Sequence, residues 1–130
     1  MTYGEELTNA KNKKEQNKIW RKLDIILYKQ KNYVKDKLNA CRRRAKVKNL
    51  KFNLTEEIIY DLFHRQNYKC FYTGLSISDT DFSIDRINSN KGYTQDNVVL
   101  CLWKINKIKN DLDIYEFYKL CKCIVDHKCL

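Results

Sequence analysis

From Glu5 to Val47 the chain has no strong helix breaker, and its apolar residues form a stripe. Ile19, Leu23, Ile26, Leu27, Val34, Leu38, Cys41 and Ala45 follow one another at mostly three- and four-residue steps, the spacing of one helix face. Trp20, Tyr28 and Tyr33 thicken the stripe, and most lysines fall on the other faces. Such a stripe must pack on the rest of the chain, on a second helix or on a partner chain. A homodimer through residues 19–45 is one such arrangement. The stretch before Ile19 has almost no apolar content and is expected to be disordered when free.

Further on, Asn53-Leu54-Thr55-Glu56-Glu57 reads as a helix start, with Thr55 as N-cap and two acids in the first turn. Ile58, Ile59, Leu62 and Phe63 supply its buried face, to about Gln66. Cys70 to Leu75 reads as a short extended piece turning at Gly74. Phe82 to Ile87 alternates apolar and polar, the mark of a short strand, and Asn97 to Leu102 reads as a second, largely buried one. Between them, Asn88 to Gly92 has loop composition. From Trp103 or Lys104 the pattern turns helical, with Ile105, Ile108 and Leu112 on one face and Trp103 in the core. A final helix from about Ile114 to Ile124 turns Ile114, Phe117, Tyr118, Cys121 and Ile124 inward. The order strand, loop, strand, helix, covering helix predicts an α+β body.

Charge divides the chain. Residues 1–52 hold 16 basic and 5 acidic side chains, and residues 53–130 hold 10 and 11, within a net charge of +10. We therefore expect a basic helical arm over residues 1–48 and a folded domain over residues 49–130. A polyanion suits the arm, and nucleic acid is the commonest one. The densest basic run, Arg42-Arg43-Arg44-Ala45-Lys46-Val47-Lys48, exceeds what a helix C-terminus needs and points to phosphate contact. No segment approaches the ~18 apolar residues of a membrane span, and residues 1–14 lack the apolar core of a secretion signal. The six cysteines are read as reduced thiols in an intracellular protein. There is no proline, and the only glycines are Gly4, Gly74 and Gly92.

The stretch carrying chemistry runs from Ser83-Ile84-Asp85-Arg86-Ile87 through Gly92-Tyr93-Thr94 and Asp96-Asn97-Val98-Val99-Leu100-Cys101 to Asn106 and Lys109. Folded as strand, loop, strand, helix, it lets Asp85 and Asn106 face each other. A carboxylate and an amide oxygen form a hard, sparse ligand pair that suits Mg²⁺. Asn97 is placed to tie down the preceding loop. Lys91, Lys104, Lys107 and Lys109 add cations suited to phosphates.

This pattern resembles the HNH (ββα-metal) nucleases, whose Asp-His pair, strand Asn and helical Asn or His plus Lys are matched by Asp85, Asn97, Asn106 and Lys109. The Phe52-Asn53-Leu54-Thr55 helix start, Cys70-Phe71-Tyr72-Thr73-Gly74, Ser-Ile-Asp-Arg-Ile and Gly-Tyr-Thr are similar to small HNH-type proteins of phages and large viruses. About residues 40–126 fit. The resemblance implies a ββα-metal core with covering helices, one divalent metal, Mg²⁺ or Mn²⁺, on Asp85 and Asn106, and hydrolysis of phosphodiester bonds in DNA. Asp85, Arg86, Asn97 and Asn106 would form the catalytic set. Arg42, Arg43, Arg44, Lys46, Lys48, Lys91, Lys104, Lys107 and Lys109 would contact DNA.

Two departures matter. Arg86 stands where the family carries its general-base His, and a guanidinium stays protonated near neutral pH. It could instead contact phosphate, leaving Tyr93 or the remote His64 as other candidates for the base, or the module could bind DNA without cutting it. On this reading Arg86→His would raise cleavage, and Asp85→Ala would abolish it while sparing the fold. Cys70 and Cys101 occupy the first places of two Cys-x-x-Cys pairs, but Thr73 and Lys104 stand at the second places. A structural zinc is therefore not expected, and the two thiols read as small buried groups. The tail Cys121-Lys122-Cys123 … His127-Lys128-Cys129 matches no standard zinc spacing.

Overall fold

The computed structural model describes residues 13–128; the expectations for the polar start and for Cys129 lie outside them. The chain is of mixed α+β class, with five helices and a small two-stranded antiparallel sheet among the described residues. No helix among them is long and apolar enough to cross a membrane. The chain divides into two compact units between Tyr33 and Val34.

The first unit contains α1 (Lys13–Lys31). None of its residues is buried: Ile19, Leu23 and Ile26 are half-buried, and Trp20, Leu27 and Tyr28 are exposed. The apolar stripe reads as continuous, but the helix stops at Asn32, whose side-chain amide donates to the Tyr28 carbonyl at 2.8 Å. A short amide that binds nearby backbone competes with helix propagation.

The second unit opens at Val34, within α2 (Tyr33–Val47), so residues expected in a basic arm are built into the body. Val34, Leu38, Cys41 and Ala45 are all buried. Burial pushes the Cys41 thiol up to about 11. Next comes α3 (Glu56–Arg65), capped by Thr55, whose hydroxyl accepts from the Ile58 N–H at 3.2 Å. Its Ile59 and Phe63 are fully buried, and Phe63 meets the Phe82 ring edge-on at 4.9 Å.

With so little glycine, asparagine supplies the left-handed backbone that ends helices. Asn49 (φ 54°) and Asn67 (φ 54°) follow α2 and α3. The next residue in each case returns a bond to the helix, Leu50 N–H to Ala45 O at 2.8 Å and Tyr68 N–H to Phe63 O at 2.9 Å. This is the Schellman arrangement, with Asn in the place usually taken by Gly.

Strands β1 (Ser83–Arg86) and β2 (Val98–Cys101) pair antiparallel, Asp85 opposite Val99 and Arg86 opposite Val98. All four residues of β1 are buried, including the polar Ser83, Asp85 and Arg86, so the alternation does not mark a wet face. The Gln66 side chain covers the β2 edge: it donates to Leu100 O at 2.8 Å and accepts from Leu100 N–H at 2.9 Å. The β1–β2 loop lies against residues 51–53, with Tyr93 N–H donating to Lys51 O at 2.9 Å. Only glycine fits at 92, where a Cβ would stand 2.2 Å from Lys51 O.

Two helices follow, α4 (Trp103–Lys109) and α5 (Ile114–Lys128). Here burial departs from the periodicity. Trp103 and Ile108 of α4 are exposed, Phe117 is the one buried residue of α5, and Tyr118, Leu120, Ile124 and Val125 are exposed. The last helix therefore seals the body through its first turns only.

Candidate functional site

The sheet, α4 and α2 together enclose an open cleft of about 420 Å³. β1 brings Asp85 and Arg86 to it, α4 brings Trp103, Asn106 and Lys107, and α2 with the turn after it brings Arg44 and Lys48. Asp85, Arg86 and Asn106, singled out by spacing, thus share one cavity with three cations.

Asp85 is only 5% exposed. Its carboxylate lies 3.1 Å from the Lys109 ammonium and also accepts from the Tyr72 hydroxyl. Lys109 is 0% exposed and donates further to the Arg86 carbonyl at 3.2 Å. Lys109 was expected to grip phosphate; instead it is an interior counter-ion. Burial raises the Tyr72 phenol, and its hydrogen bond to the Asp85 carboxylate raises it further, so it stays a donor. The ring is held edge-on by Phe117 at 5.8 Å and Tyr118 at 6.2 Å, which links α5 to the site. The same network revises what Asp85→Ala would do, because it would strand a buried ammonium and harm the fold.

Asn97 spends its whole side chain on the loop. Its amide donates to Asn88 O at 3.1 Å and Gly92 O at 2.8 Å, and accepts from Asn88 N–H at 3.0 Å. Arg86 is bound to the same loop: its Nη1 donates to Ser89 O at 2.7 Å and Lys91 O at 3.1 Å. Its guanidinium lies 5.0 Å from the centre of the buried Tyr93 ring. Its Nη2 is 3.8 Å from Asp111, which stands equally far from Lys48. Arg86 therefore lines the cleft as a loop clamp with one side of its fork turned toward Asp111.

The remaining expected DNA contacts spread over the surface. Arg43, Lys46, Lys91 and Lys104 are exposed and outside the cleft lining, while Arg42 lies over the Phe52 ring at 5.0 Å. His64 is exposed beside Tyr68, also outside the lining. Sequence reasoning missed Tyr72, Asp111 and the open position of Trp103. Trp103 carries Lys107 over its ring at 4.8 Å.

Cys70 and Cys101 are both buried. Burial works to raise the Cys70 thiol, but hydrogen bonds from Thr73, Leu102 and Tyr72 outweigh it and hold it below its usual value. Burial raises the Cys101 thiol, and the Asp85 charge adds to that. Cys121 and Cys123 are exposed on α5.

Among the described residues, no group of three or more His, Cys, Asp and Glu side chains is placed to hold a metal. The residues on the cleft nonetheless fit a hard divalent cation: one carboxylate, Asp85, and one amide oxygen, Asn106. Mg²⁺ accepts such a pair when waters and phosphate oxygens complete its shell. The Lys109 charge lowers the affinity of Asp85 for a cation, so binding would depend on the added anions of a phosphate.

No family model matches the sequence. The chain is 33% identical over 92 residues to an uncharacterized protein of Acanthamoeba polyphaga mimivirus. The match takes in 71% of this chain but only 17% of that much longer relative.

Proposed function

We propose that the chain is a metal-dependent endonuclease that hydrolyses phosphodiester bonds in DNA, on a ββα-metal core of HNH type formed by β1, β2 and α4. One observation supports this most: Asp85, Arg86 and Asn106 converge on a polar cleft with Arg44, Lys48 and Lys107. Arg44, Lys48 and Lys107 bind the DNA backbone and set its salt dependence. Asp85 and Asn106 hold Mg²⁺ or Mn²⁺, which when bound supplies Lewis acidity toward a phosphoryl oxygen and lowers the pKa of water. Tyr72 and Lys109 fix the Asp85 carboxylate, and Asn97 and Arg86 fix the loop beside it. Arg86 cannot accept a proton, so its Nη2, which faces Asp111 at 3.8 Å, serves a phosphate oxygen in place of that carboxylate.

The second reading is a DNA-binding protein that does not cut. It is favoured by the same Arg86, whose Nη1 is committed to Ser89 and Lys91 carbonyls. The test is conversion of supercoiled plasmid with Mg²⁺, with Mn²⁺ and with excess EDTA. Nicking that requires a divalent metal is expected; retention of the plasmid without cleavage under every condition would establish the binding reading instead.

A further inference from the structure

We propose that the cleft accepts an unpaired nucleotide whose base stacks on the Trp103 indole, so that single-stranded or locally opened DNA is preferred over intact duplex. The proposal rests on reading the cleft as a phosphate-contacting site, and it does not require that the protein cut.

Trp103 is out of place as a core residue. It is 52% exposed, although only Leu102 separates it from β2, whose residues are all buried. It lines a polar cleft beside Arg44, Lys48 and Lys107. An open indole among cations matches the two parts of a nucleotide, a flat π-surface and an anion. Lys107 already lies 4.8 Å from the centre of the ring. A phosphate can draw that flexible ammonium away, leaving the ring to a base. Tyr93, the other aromatic of the lining, is 5% exposed beneath Arg86 and offers no such face. The cleft, at about 420 Å³, is of the size that holds small ligands, roughly 300–1,000 Å³. It has room for one nucleotide. In a duplex the base faces are occupied by their neighbours, so only an unpaired or extruded base can reach the ring.

The chain has two tryptophans, so Trp20→Phe leaves Trp103 as the reporter. The full chain is titrated in EDTA with a short oligothymidylate, an abasic oligonucleotide of equal length and a duplex. Oligothymidylate should quench Trp103 emission, and the abasic strand should not. Trp103→Leu, which keeps bulk without a π-face, should weaken oligothymidylate binding about tenfold, a loss typical of one stacked base. Binding of the abasic strand and the duplex should stay within about twofold. Equal quenching by both single strands, or an equal effect of Trp103→Leu on all three ligands, overturns the proposal. If Trp103→Leu loses its fold, Trp103→Phe decides by the same comparison, since it should keep most of the preference. Selective quenching in a protein that never cuts would sink the nuclease reading alone. Metal-dependent cutting without selective quenching would sink stacking alone.

Discussion

Within one cleft the protein treats charge in two ways. Asp85 on the inner wall and the fully enclosed Lys109 have side chains 6% and 0% exposed, 3.1 Å apart. On the rim Lys48 and Asp111 have side chains 48% and 67% exposed, 3.8 Å apart. The inner pair is almost wholly buried, so each charge depends on the other, and removing one typically costs about 3–5 kcal/mol. The rim pair is hydrated and screened, and is worth roughly 0–1 kcal/mol. The inner wall is thus built to hold one geometry, and the rim pair is the one a competing anion would displace first.

The largest expected effect breaks the inner wall. Lys109→Met should lower stability in urea by about 3–5 kcal/mol, because it leaves the Asp85 carboxylate buried without its counter-ion. Adding Asp85→Asn should recover much of that loss. A strictly additive double variant would show that the two charges do not depend on each other.

A pH titration sharpens the same contrast. The Cys41 thiol is raised by burial from 9.0 to about 11. Between those values the unfolded chain releases a proton that the folded chain keeps, so the contribution is whole below pH ~9 and is lost as pH rises to ~11. That window is worth about 2–3 kcal/mol from Cys41, and Cys101 and Tyr72 shift in the same direction. Stability measured against pH should fall steeply above ~9, and Cys41→Ala should flatten part of the fall. A curve unchanged by Cys41→Ala would remove that thiol from the explanation.

Rim substitutions should act on binding alone. Arg44→Ala, Lys48→Ala and Lys107→Ala should each reduce the log–log salt slope of DNA binding by up to about 0.9, with stability changed by no more than about 0.5 kcal/mol. A loss of stability without a change in slope would move that residue to the inner wall. The smallest effect is expected at Ser83, whose buried hydroxyl has no hydrogen-bond partner among the described residues. Ser83→Ala should be neutral or slightly stabilising in the same urea titration.

Local chemistry was legible in the sequence where one residue type has one use. Thr55 before two acids marked a helix cap, and Asn97 ahead of an apolar strand marked a loop brace; both side chains make the bonds those positions suggest. What depends on tertiary surroundings was not legible. A lysine near a helix start reads as a surface cation, and nothing in the spacing of Lys104, Lys107 and Lys109 shows that only Lys109 lies opposite a buried carboxylate. Arg86 reads as a phosphate ligand because loop carbonyls leave no trace in sequence. The clamp also changes the outlook for Arg86→His: an imidazole has no counterpart of the Nη1 that donates to both Ser89 and Lys91 carbonyls. Apolar periodicity likewise reports a face without saying what covers it. α2 buries four residues of its stripe, whereas α5, of equal length, buries one. The paired Asn49 and Asn67 ends were hidden because asparagine is common in loops of every kind.

In the proposed function Asp85 and Asn106 form a metal-dependent cutting centre inside a basic cleft. Asn106 is the cleaner probe, being half-buried and outside the Asp85–Lys109 pair. The decisive measurement is the rate of Mg²⁺-dependent plasmid nicking by Asn106→Ala against the parent, at equal DNA occupancy and with unchanged urea stability. A drop of about 10²-fold or more is expected, the scale of losing a group that orients catalysis. Nicking at the parental rate would contradict the account.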